Sequence, residues 1–166
     1  VKKGFFVNLI TNGTYVIKRW DEIKNIDTMC ISLDGRPENN DQNRGKGTAT
    51  QALEAIDFAL SQGMTVRIGM TITKHTMGDL DWMMEQAEAY GADVTLAIGR
   101  KVPRWPECHV PSWVTDEQQQ EELLAYLELL VLRYDASPAL VRWQVENEPL
   151  FPFGGCPVPD PGLLEE

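Results

Sequence analysis

Five short apolar runs, each leaving through a turn rich in Gly, Asn, Asp or Pro, constrain the fold of this chain more than any other feature. They occupy residues 4–10, 28–33, 65–72, 93–98 and 140–146. Runs this short, bounded by turn residues, fit buried strands better than helices. Between them lie stretches whose apolar residues recur three and four apart, the spacing of a helix face.

The first such stretch predicts a modest helix over residues 16–26, with Trp20 and Ile23 on one side. Residues 38–47 contain no apolar side chain and read as a loop. Thr48, with Gln51 three residues on, reads as a capping box that opens a helix. Its Ala49, Ala52, Leu53, Ile56 and Leu60 share a face, and Gly63 stops it. The same grammar returns in Leu80, Met83, Met84 and Ala87 before Gly91, where methionines at helical spacing read as core packing. It returns again after Thr115 and Gln118, in Leu123, Leu127, Leu130, Val131 and Tyr134. Strand and helix in alternation define parallel α/β architecture. A doubly wound sheet is one solution. Polar residues at successive strand ends favour the other, an arc of a (β/α)8 TIM-type barrel with its chemistry on the C-terminal face. A closed barrel takes about 250 residues. The 166 residues here therefore predict a partial barrel of about five parallel βα units, open rather than closed. Its two open edges invite self-association.

A 43% apolar and 24% charged composition is that of a globular domain. The net charge of −10 argues against nucleic acid or an anionic membrane as partner, since either attracts basic surfaces. No apolar run approaches the roughly 18 residues of a membrane span, and residues 1–10 are too short and strand-like for a signal peptide. A cytoplasmic location is the expectation, although the first residue is Val rather than Met. Cys30, Cys108 and Cys156 are odd in number and far apart, which disfavours a disulfide framework or zinc site. Glu107-Cys108-His109 is not read as a metal site either, because adjacent side chains diverge and no further ligands stand nearby.

The words TNGT (residues 11–14), ISLDG (31–35), RGKGT (44–48) and VRIGMTITK (66–74) resemble, in order and spacing, the later strands of the radical S-adenosylmethionine enzymes. The resemblance covers roughly residues 4–92. It implies that Asn12, Ser32, Asp34 and Arg44 bind S-adenosylmethionine, Arg44 by a bidentate grip on a carboxylate. The family also uses an iron–sulfur cluster held by a CxxxCxxC run. No such run occurs in the sequence, so on this resemblance the cluster loop is expected before Val1.

Residues 95–113 (TLAIGRKVPRWPECHVPSW) and 141–149 (VRWQVENEP) resemble instead the clan-A retaining glycoside hydrolases, over roughly residues 93–166. The resemblance makes Glu148 of Asn147-Glu148-Pro149 the general acid and base, and gives Asn147 the sugar's 2-hydroxyl. Such an acid stays protonated near neutral pH when apolar walls raise its pKa. The nucleophile, a second carboxylate roughly 5 Å away, comes in this group from a strand three units later, expected beyond the last residue here. Arg100, Trp105, His109 and Trp113 fall on strand-end loops, where they either stack on and bind a carbohydrate or pack on the barrel rim.

The two resemblances meet near YGADVTLAIGR, residues 90–100. The expected organisation is one continuous half-barrel, residues 1–92 of one kind and 93–166 of the other. Functionally, the chain reads as an incomplete or chimeric barrel enzyme, glycosidase-like in its second part. The alternatives are a radical S-adenosylmethionine core and an inactive scaffold.

Overall fold

Met29, Ile31 and Leu33 are wholly buried, and the first sheet is organised around them. The structure is a computed structural model that describes residues 4–73, 75–97 and 115–144. Strand β2 (Thr28–Ser32) lies between β1 (Asn8–Thr11) and β3 (Thr65–Gly69), parallel to both. The register sets Leu9, Met29 and Val66 on one row, and Ile10, Cys30 and Arg67 on the next. Side chains alternate between faces along a strand, so the sheet has two unlike sides. One side carries Met29, Ile31, Val66 and Ile68, all buried. The other carries Cys30, Ser32 and Arg67, all half-buried, and Ile10 at 70% exposure. A single bridge at Arg67 and Asp93 extends the parallel pattern beyond β3.

Helix α3 (Thr48–Ser61) packs on β2 and β3. It buries Ala49, Ala52, Ala55 and Ala59, small residues that let its backbone approach the strands, together with the larger Ile56. Helix α4 (Leu80–Tyr90) buries the four residues the spacing selects, Leu80, Met83, Met84 and Ala87. Its last turn is closed by Gly91 in the left-handed region. Helix α5 (Asp116–Tyr134) buries Leu130 and Tyr134, and strands β4 (Val94–Ala97) and β5 (Leu140–Gln144) form a two-stranded sheet. The chain divides into two compact units, Val1–Val94 with Ser137–Ala139, and Thr95–Ala136 with Leu140–Glu166. Among the described residues it is thus a mixed α/β protein with parallel strands in two small sheets, neither of them closed.

Three local expectations are corrected. The helix expected over residues 16–26 contracts to one turn, α1 (Trp20–Ile23). Before it the backbone makes isolated turns, Val16 N–H to Gly13 O and Arg19 N–H to Tyr15 O, because β-branched Thr14, Val16 and Ile17 favour helix weakly. The loop expected over residues 38–47 contains a helix, α2 (Pro37–Arg44), which shows no hydrophobic period because it has no apolar face. Finally, Thr48 and Gln51 form no capping box. Gly47 is the N-cap of α3, and the Asp41 carboxylate of α2 takes the Gly47 and Ala49 N–H groups instead, at 2.5 and 2.9 Å. The capping box at α5 does form. Gln118 N–H donates to Thr115 Oγ1 at 3.2 Å, and Thr115 N–H to Gln118 Oε1 at 3.1 Å.

Candidate functional site

The C-terminal ends of β1, β2 and β3 carry the polar residues that the strand-end pattern singled out. After β1, Asn12 is exposed and accepts the Thr14 N–H at 3.2 Å, a side-chain-closed turn. Gly13 follows at φ +86°, and a Cβ there would stand 3.1 Å from Ala52 Cα of α3. Only glycine lets the turn lie this close to the helix. Ser32 ends β2 and is half-buried.

Asp34 is the centre of the cluster and is wholly buried. Its carboxylate accepts Arg44 Nε at 2.6 Å and Nη2 at 2.8 Å, a two-pronged ion pair. It also accepts Asn43 Nδ2 at 2.6 Å and the Thr71 N–H at 2.9 Å, just past β3. Its own N–H donates to Asn40 Oδ1 at 2.9 Å, and Asn40 Nδ2 donates to Thr48 Oγ1 at 3.0 Å. Four donors satisfy the buried carboxylate, as a charge in a low-dielectric setting requires.

A second carboxylate, Asp79, stands at the end of a one-turn 3-10 helix, Met77–Asp79. It accepts the Arg36 N–H at 2.9 Å, Arg36 Nη1 at 3.1 Å and Asn39 Nδ2 at 2.7 Å. The third is Asp41. The backbone N–H groups of Ala49 and Gly47 lower its pKa from the ordinary aspartate value, with the Asn40 and Thr48 side chains adding to the effect. Thr76, wholly buried, pins the loop after β3 by accepting the Thr73 N–H at 2.8 Å and donating to Thr71 O at 3.0 Å.

The structure therefore brings Asp34 and Arg44 together and spends each on the other, while Asn12 closes its own turn. The fork of Arg44 that the sequence reading assigned to a ligand carboxylate is engaged by a carboxylate of the protein. Asn39, Asn40, Asp41, Asn43 and Asp79 were not singled out from the sequence. The run of Asn and Asp after Pro37 signals polar bonding, but nothing in it signals which partners. Glu148, Asn147, Arg100, Trp105, His109 and Trp113 lie outside the described residues.

An iron–sulfur cluster does not fit the described residues. Their single cysteine, Cys30, lies within β2 beside Gly69, and burial pushes its thiol up, away from the thiolate a cluster needs. Among the described residues no three His, Cys, Asp or Glu side chains gather as a metal site. No helix among them is long and apolar enough to cross a membrane.

No family model matches the chain. It is 25% identical over 158 residues to mannan endo-1,4-beta-mannosidase A of Podospora anserina, a match covering 88% of this chain and 39% of that protein. It is 34% identical over 85 residues to the mycofactocin maturase MftC of Mycobacterium ulcerans, covering 48% of this chain and 23% of the relative. The MftC of Mycolicibacterium smegmatis is 33% identical over 97 residues, covering 55% of this chain and 24% of the relative. The chain thus spans about two fifths of the mannosidase and about a quarter of the maturases. Distant similarity reaches both a glycosidase and a radical S-adenosylmethionine maturase.

Proposed function

We propose that this chain is part of a (β/α)8-type glycoside hydrolase acting on O-glycosidic bonds of a β-1,4-mannan, with Glu148 as general acid and base. The observation that carries this reading is the reach of the mannosidase similarity, 88% of the chain and so more of it than residues 93–166 alone. Asn147-Glu148-Pro149 supplies the chemistry. Glu148 protonates the leaving oxygen and then deprotonates water, and Asn147 holds the 2-hydroxyl, a contact that tightens as positive charge develops at the sugar. On this reading Arg100, Trp105, His109 and Trp113 contribute to binding the polysaccharide. The barrel rather than the doubly wound fold is favoured by the two unlike sides of the first sheet. A doubly wound sheet carries helices on both faces, whereas here α3 packs on the apolar side and the other is the polar one, with Cys30, Ser32 and Arg67 half-buried and Ile10 exposed.

The test is release of reducing ends from β-1,4-mannan by the protein with its natural flanking sequence. Glu148→Gln should lower turnover by at least about 100-fold, the scale of a lost general acid. Full activity in that variant, or none in the parent, rejects the reading.

A second reading rests on the higher identity, 34% and 33%, of the shorter maturase matches. On it, residues 1–92 derive from a radical S-adenosylmethionine barrel and residues 93–166 from the hydrolase. Asn12, Ser32, Asp34 and Arg44 then line a cofactor pocket. Calorimetric titration with S-adenosylmethionine of the protein with its natural upstream sequence restored decides it, since no heat of binding at millimolar ligand removes it.

A further inference from the structure

We propose that α2 is a hinged polar strap that opens as one piece and uncovers the Asp34 carboxylate. The observations are of three kinds. First, the helix has no apolar anchor: of its eight residues, PENNDQNR, the one that is buried is Asn40. Burial of apolar surface, which holds α3 and α4 in place, therefore contributes almost nothing to its seating. Second, polar bonds to carboxylates hold both of its ends. Arg36, beside the N-terminal half, and Asn39 within it bond to Asp79; Asn43 and Arg44 in the last turn bond to Asp34. Third, glycines in the positive-φ region flank it, Gly35 at φ +149° on one side and Gly45 and Gly47 at φ +108° and +83° on the other. Glycine is the residue that turns through such regions most freely.

Segments held by few apolar contacts open at lower free energy than the core, without global unfolding. Here the opening unit is residues 36–44, between the glycines. Its departure breaks the mid-helix bonds of Asn40 to the Asp34 N–H and Thr48 and of Asp41 to the Gly47 and Ala49 N–H groups. It also removes Asn43 and Arg44 from the Asp34 carboxylate together. What remains is a bare carboxylate at the C-terminal end of the sheet, beside the Thr71 N–H. This holds whichever of the two chemistries the protein performs.

Native-state hydrogen exchange on the chain tests the strap. The Asn40 amide, bonded to Arg36 O at 2.8 Å, and the Gly45 amide, bonded to Asp41 O at 2.9 Å, report the two ends of the helix. Both should exchange at least about tenfold faster than the amides of β2, by an opening that mild denaturant hardly accelerates. Asn39→Ala cuts the bond to Asp79 and should speed the distant Gly45 amide by about five- to tenfold, the effect of losing one hydrogen bond. Asn43→Ala should do the same to Asn40 from the other end. Carbodiimide labelling of Asp34 should rise in both variants while β2 exchange stays unchanged. Acceleration confined to the mutated end, or a rise in β2 and α2 exchange together, overturns the proposal, as does α2 protection equal to that of β2 in the parent.

Discussion

Gly35 shows how one residue can be fixed by a distant one. A Cβ at this position would stand 2.4 Å from Asp79 Oδ2, and φ is +149°, so both space and backbone demand glycine. Gly35→Ala is expected to destabilise the protein by about 1–3 kcal/mol, read as a lower urea midpoint; an unchanged midpoint would refute the close approach. Asp34→Ala should cost more, about 3 kcal/mol, because it leaves the Arg44 guanidinium, itself largely buried, without its counter-charge. Cys30 should react slowly with maleimides at neutral pH, since burial raises its pKa and lowers the thiolate fraction. Fast labelling equal to that of a free cysteine would contradict the burial seen in β2. Asp34-Gly35 was legible as a turn after a strand. That Asp79, far along the chain, closes over that turn was not, because no local pattern encodes a long-range contact.

The elements divide by what seats them. Helices α3, α4 and α5 were legible because an apolar stripe has a period. Helix α4 buries all of its stripe, and α3 buries Ala49, Ala52 and Ile56 of it and leaves Leu53 and Leu60 half-buried. Helix α5 buries Leu130 and Tyr134 and leaves Leu123, Leu127 and Val131 half-buried. Pro37 takes the first position of α2, but a helix seated by Asn, Asp and Arg has no period to find, and the stretch after Pro37 read as a loop. The two capping boxes separate for a related reason. At α5 the Thr115 and Gln118 side chains each bond the other's backbone N–H, and Thr115→Ala should reduce stability by about 1 kcal/mol, seen as lost helical ellipticity on heating. At α3 a better acceptor, Asp41, arrives from α2 and displaces the local box. Its pKa lies below the ordinary aspartate value of 3.8, the mark of a group bonded as an anion. The stability it contributes is thus fully present above about pH 4 and is lost as pH falls through the lower folded-state value. Asp41→Asn should therefore lower stability at pH 7, and the gap to the parent should close under acid. A gap that persists undiminished at pH 2 would show that charge is not the cause.

At the scale of the molecule, the first sheet has an edge in β1, with Ile10, Phe5 and Phe6 exposed along the same stretch. Such edges recruit other strands, while a net charge of −10 keeps copies apart. Salt decides between these effects, because at physiological ionic strength the repulsion is screened beyond about 8 Å. Sedimentation should show association that grows as salt is raised and that Ile10→Lys suppresses. A monomer at every salt concentration would mean that the edge is protected. The alternation of strand and helix was legible from the five apolar runs, and with it the mixed α/β class. Whether the strands curve towards closure was not, since curvature depends on packing that no single run contains.

The alanine lining of α3 carries one more consequence. Ala49, Ala52, Ala55 and Ala59 each carry a single methyl, so every substitution there except glycine adds bulk. Most core positions tolerate trimming and enlargement to comparable degrees, but this surface fails in one direction alone. Variation should drift at α3 towards glycine or serine and stop short of valine, a one-sided tolerance that saturation mutagenesis would display as a sharp ceiling on side-chain volume.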